Sequence, residues 1–137
     1  MKFAVILIVT CLCTSSVPNT SQGHALLKWT MQEKYEFKTV SCFTCHIKPP
    51  RGVAGPLGLT EFGLLVETEL EGFELNEKMI NLSSLPRGNS DRLEMEKNVS
   101  SAFLEALKEI EEMESPGGST YRELLISGNL EGISLKR

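Results

Sequence analysis

Metal-binding side chains are scarce in this chain, which has two His and four Cys in 137 residues. Two of the Cys, Cys11 and Cys13, lie in an apolar leader. That leaves too few ligands for a four-coordinate structural zinc. Long apolar runs are missing as well. The run over 3–13 is far shorter than the ~20 residues a helix needs to cross a bilayer, so no stable membrane span is expected once the leader is removed. Positive charge is also in deficit, with 14 Lys+Arg against 18 Asp+Glu and a formal net charge of −4. This argues against nucleic acid as a partner. No stretch alternates apolar and polar residues at period two, which argues against a fold built on strands.

Against this background one run of five residues stands out. Cys42, Phe43, Thr44, Cys45 and His46 read C-x-x-C-H, the attachment signature of c-type haem. The chemistry needs this order, because two thiols add across the haem vinyl groups while the following His, on the same short turn, can sit beneath the iron. A thiol-exchange site would be expected in a βαβ pattern with a helix after the second Cys, but Pro49, Pro50 and Gly52 interrupt that stretch at once. A plain Cys42–Cys45 disulfide leaves His46 unexplained. One motif means one haem c per chain.

The N-terminus agrees with that chemistry. A charged start at Lys2, an apolar core and a small polar exit over 14–23 have the order of a secretory signal peptide. The expected division is a signal peptide over 1–25, cleaved after Ser16 or Ala25, and a single monohaem domain over 26–137. Bacterial haem attachment of this kind takes place outside the inner membrane, so the expected location is the periplasm or surface of a bacterium. About 110 residues make one domain. A covalent haem would add a large apolar face to its core.

The coarse periodicity predicts helices almost throughout. A first helix is expected over 25–37, with Leu26, Leu27, Thr30, Met31 and Tyr35 at helical spacing and Trp29, the sole Trp, beside them, close to the motif. The segment 48–58, rich in Pro and Gly and without an acid, must be a loop. Thr60 can cap a helix carrying Phe62, Leu65, Val66 and Leu70 that ends near Gly72. Residues 73–88 show no firm periodicity. Ser90 or Asp91 can begin a long helix through Met113, with one apolar face of Val99, Phe103, Ala106, Leu107, Ile110 and Met113. The acidic run Glu109, Glu111, Glu112 and Glu114 reads as a solvated face, with docking of a basic redox partner as the sharper alternative. A capping box, Thr120 to Glu123, opens a last short helix that stops at Gly128.

With these elements placed, the chain resembles the small secreted monohaem cytochromes c. The features that carry the resemblance are Tyr35, the motif Cys42 to His46, the pair Phe62-Gly63 and the terminal stretch from Thr120 to Gly128. The resemblance implies a mainly α, small single-domain helical bundle wrapped around one covalent haem. It implies that Cys42 and Cys45 hold the haem and that His46 is the proximal iron ligand. The usual pattern of the family also supplies a distal Met from a downstream loop, which this chain does not clearly match. Met79, in the less regular stretch 77–81, is the candidate; Met31, Met95 and Met113 look like helix residues, and His24 would be lost on cleavage after Ala25. The resulting expectation is an electron carrier rather than an enzyme, cycling Fe(III)/Fe(II) with redox proteins as partners. The alternatives are a gas sensor or small peroxidase-like protein with an open distal side, and a haem-bearing subunit of a larger redox complex.

Overall fold

The computed structural model describes residues 21–54 and 57–136. The apolar leader lies outside them, as do Gly55 and Pro56. Five helices and one pair of short strands occur among the described residues. In chain order they are α1 (Ser21–Lys34), β1 (Phe37–Val40), α2 (Glu61–Gly72), α3 (Leu75–Ser84), α4 (Ser90–Glu111), α5 (Tyr121–Ser127) and β2 (Ile133–Leu135). The mainly helical expectation holds.

The strands were not expected. Glu36 turns the chain out of α1 in the left-handed region, at φ 54°, and β1 then pairs antiparallel with β2 through Phe37↔Leu135, Thr39↔Ser134 and Val40↔Ile133. The register slips between Phe37 and Thr39, so the two buried residues of β1, Phe37 and Val40, stand three apart with Lys38 and Thr39 exposed between them. A bulge of this kind erases the period-two signature that sequence reading relies on.

Helix α4 is the centre of the bundle and touches α1, α2, α3 and α5. Asn89, not Ser90 or Asp91, caps it, its side chain accepting from the Asp91 N–H at 2.7 Å. Val99, Phe103, Ala106, Leu107 and Ile110 form the buried stripe that the spacing predicted, while Met113 lies beyond the helix end and only half-buried. Met31, Phe37, Phe62, Val66 and Leu70 close over this stripe.

Two local predictions needed correction. The unpatterned stretch contains α3, which begins at Glu74 in the left-handed region with no side-chain cap and so carries no N-terminal signal in its sequence. Leu75, Met79 and Leu82 face inward at i, i+4 and i+7. At the other end, the buried side chain of Arg92 donates to the carbonyls of Leu85 (2.7 Å) and Leu82 (3.4 Å), finishing α3 from α4. The acidic run is not a uniformly solvated face either. Glu111 is 6% exposed and binds three elements together. Its carboxylate pairs with Lys34 Nζ at 2.5 Å and with Arg122 at 3.2 Å, and accepts from the Tyr35 hydroxyl at 2.5 Å.

The capped helices behave as expected. Thr60 Oγ1 accepts from the Gly63 N–H at 3.0 Å, and Thr120 and Glu123 form the reciprocal capping box. Gly128 ends α5 at φ 69°. No helix among the described residues is long and apolar enough to cross a membrane.

Candidate functional site

The C-x-x-C-H run lies just after β1 and folds as a single tight turn. Ser41 opens it, its hydroxyl accepting from the Phe43 N–H at 3.1 Å, and the Cys42 carbonyl then accepts from the N–H groups of Cys45 (3.3 Å) and His46 (2.9 Å). Such a turn holds both thiols and the imidazole within five residues of hydrogen-bonded backbone.

Three long-range contacts hold the turn in place. Ser41 N–H donates to the Gly132 carbonyl at 2.8 Å, tying the turn to the approach to β2. Thr60 reaches it twice, its N–H donating to the Cys45 carbonyl (2.9 Å) and its hydroxyl to the Thr44 carbonyl (2.9 Å). Two glycines then allow backbone to lie against backbone. A Cβ at Gly63 would overlap the Cys45 carbonyl oxygen, and one at Gly132 would overlap Ser41 Oγ and lie 2.8 Å from the Thr44 nitrogen. The Thr44 hydroxyl, buried in this contact, has no hydrogen-bond partner. Beside Gly63, the Phe62 ring packs on Tyr121 with centroids 5.6 Å apart, which joins α2 to α5.

The turn opens onto two small, largely apolar cavities that share Leu27, Cys45, His46 and Val66 as walls. One, of about 80 Å³, continues past Cys42 to Lys28, Met31, Val40 and Phe103. The other, of about 170 Å³, continues to Leu59, Gly63, Leu70 and Met79, with Glu67 and Asn76 as its polar members. Both thiols are free, Cys42 exposed and Cys45 half-buried. Burial, helped by the charge of Cys42, pushes the Cys45 thiol up to about 11, so at neutral pH it is a protonated thiol.

Cys45, His46 and Met79 thus wall one cavity and Cys42 the adjoining one, with Met79 delivered by a helix rather than by the irregular segment expected of it. Met31 lines the smaller cavity. Met95 and Met113 pack against the core and line neither. The His24 side chain and the expected cleavage after Ser16 fall outside what is described, whereas the alternative cleavage after Ala25 falls within α1. Trp29 is 64% exposed and lines neither cavity, although its helix supplies Leu27, Lys28 and Met31 to them. Sequence reading missed Leu27, Val66 and Phe103 as walls and Gly63 and Gly132 as points of close approach. The Phe62-Gly63 pair was noticed, yet nothing local says what Gly63 would touch.

A porphyrin is larger than either cavity, so it would enter only where the two merge and long side chains such as Met31, Lys28 and Met79 give way. The donor set fits such a group: two uncoupled thiols at i and i+3, an imidazole directly after them, and apolar walls with a thioether among them. No family model, curated protein or solved structure matches the chain.

Proposed function

We propose that this chain is a small exported c-type cytochrome, an electron carrier of the bacterial periplasm or cell surface with one covalently held haem. The observation that carries the reading is that Cys45, His46 and Met79 wall a single apolar cavity, with Cys42 on the adjoining one. Haem bound there would supply a one-electron Fe(III)/Fe(II) couple. Cys42 and Cys45 would each add S–H across a vinyl group, the sulfur bonding to one carbon and the hydrogen going to the other. His46 would offer a ring nitrogen as the proximal ligand, and the Met79 sulfur would be the distal one, which raises the potential. Leu27, Val66 and Phe103 would keep water from the iron, and the helices would wrap the cofactor as in the cytochromes c that the sequence resembles.

A second reading, a gas sensor or small peroxidase-like protein, draws on Glu67 and Asn76 in the same cavity as Met79, since polar side chains there could face a small ligand on iron. One experiment separates the two. Protein made with intact haem-attachment machinery should retain haem after denaturation and acidic organic extraction, and Cys42→Ala or Cys45→Ala should weaken that retention. Its oxidised spectrum should be low-spin with a sulfur-to-iron charge-transfer band that Met79→Ala abolishes. A colourless product overturns the haem reading. High-spin iron that binds CO without displacing a ligand overturns Met79 and favours the sensor.

A further inference from the structure

We infer that a groove lined by Thr44, apart from the two cavities at the thiols, binds a small primary amine, an ammonium group on a short apolar stem. The inference stands on this groove alone and does not need the haem reading. The groove has a volume of about 480 Å³, within the range of small-molecule sites, and shares no wall residue with either cavity of the C-x-x-C-H run. Two exposed carboxylates stand in its walls, Glu61 and Glu131, with neither Lys nor Arg beside them. Neither carboxylate is hydrogen-bonded or ion-paired among the described residues.

The contacts that clamp the motif turn set the two charges on either side of Thr44. On one side the Thr60 hydroxyl donates to the Thr44 carbonyl at 2.9 Å, and Glu61 follows it in the first turn of α2. On the other, Gly132 lies so near that an added Cβ would stand 2.8 Å from the Thr44 nitrogen, and Glu131 precedes it. Thr44 itself is 1% exposed, and its hydroxyl has no partner among the described residues. A buried hydroxyl in that state is unfavourable, and an ammonium N–H that reaches it supplies the missing bond. The turn from Ser115 to Ser119 adds two further hydroxyls, while Phe62, Tyr121, Leu124 and Leu130 supply apolar wall. Burial, helped by the charge of Glu61, pushes the Tyr121 hydroxyl up, so that charge is felt at the ring. An anion would meet two like charges here. A divalent metal takes about six to eight oxygens and gains nothing from apolar wall, whereas an amine uses both the charges and the wall.

The test titrates isotope-labelled protein with butylammonium, and with butyrate as a probe of the same stem and opposite charge, while amide shifts are followed by two-dimensional NMR. Butylammonium should move the amides of Thr44, Glu61, Ser119 and Glu131 together along one saturable curve, and butyrate should not. Glu61→Gln with Glu131→Gln should weaken binding roughly tenfold or more, since both hydrogen bonds to charge are lost. Thr44→Val keeps the shape and removes the unpartnered hydroxyl, so it should weaken binding severalfold while Tm stays unchanged or rises. Butyrate that binds as well as butylammonium, shifts that never saturate, or a double variant that binds like wild type overturns the inference. Calcium chloride that moves the same amides and excludes butylammonium also overturns it, by making the groove a metal site. Tighter binding of Nα-acetyl-lysine amide overturns it too, by assigning the groove to a lysine side chain of another protein. None of these outcomes bears on haem attachment, which absorbance reads separately.

Discussion

Gly63→Ala tests the most demanding contact in the molecule. The glycine sits in the first turn of α2, and the side chain it lacks would occupy the space of the Cys45 carbonyl oxygen, 2.8 Å from the carbonyl carbon and 3.0 Å from Cys45 Cα. Both partners are backbone, and both are pinned: Thr60 donates to the carbonyls of Thr44 and Cys45, and Ser41 to that of Gly132. Relief therefore requires α2 or the motif turn to move as a unit, breaking at least one of those bonds. Overpacking costs about 1–3 kcal/mol, and a lost hydrogen bond adds ~1 kcal/mol. We expect a loss of about 3 kcal/mol, which for a domain of this size is roughly 10–20 °C in Tm. Gly72→Ala is the control, because nothing lies within 4 Å of its added Cβ and it ends the same helix. That change should be neutral or stabilise by up to ~1 kcal/mol. Urea melts followed by circular dichroism, on protein with and without haem, read both. A Gly63→Ala protein within ~0.5 kcal/mol of wild type would refute the argument that the motif turn is clamped directly to α2.

Three other outcomes follow from particular residues. Burial alone would raise the Glu111 carboxyl, but Lys34, Tyr35 and Arg122 together hold it below the usual carboxylate value, so its contribution to stability is complete at neutral pH and fades as pH falls through that lowered value. Glu111→Gln should cost about 3 kcal/mol at pH 7 by leaving Lys34 without its partner, and should flatten the acid limb of a Tm-against-pH curve; an unchanged acid limb would show that the carboxylate is not the group titrating. Thr120→Ala removes the capping box of α5 and should cost ~1 kcal/mol in a urea melt, most of it restored by Thr120→Ser. Trp29, exposed on the helix that walls the cavities, should emit as a solvated indole in haem-free protein and be quenched once haem is attached; bright emission from the loaded protein would place haem away from α1.

What could be read from the sequence was local. The C-x-x-C-H run is five consecutive residues, the caps at Thr60 and Thr120 act on N–H groups three positions on, and the α4 stripe repeats within one helix. In each case the physical cause spans a turn or two of backbone, so the order of residues already contains it. Other features depend on partners far along the chain. β1 is a strand only because β2 pairs with it from the C-terminus, and its bulge removes the alternation that would have betrayed it. α3 has no capping side chain and is finished by Arg92 from the next helix. Glu111 appeared to belong to a solvated acidic run, and only the approach of Lys34 and Arg122 makes burying its charge tolerable. Met79 could be proposed from its residue type, but its place beside His46 is set by how α3 packs on its neighbours, as is the demand for glycine at 63. The motif's order of thiols and imidazole, the caps and the long apolar stripe were therefore determined by the sequence itself, through short-range order. Which side chains share a cavity with the motif, which charge is buried and where backbone meets backbone were decided only when distant segments packed together.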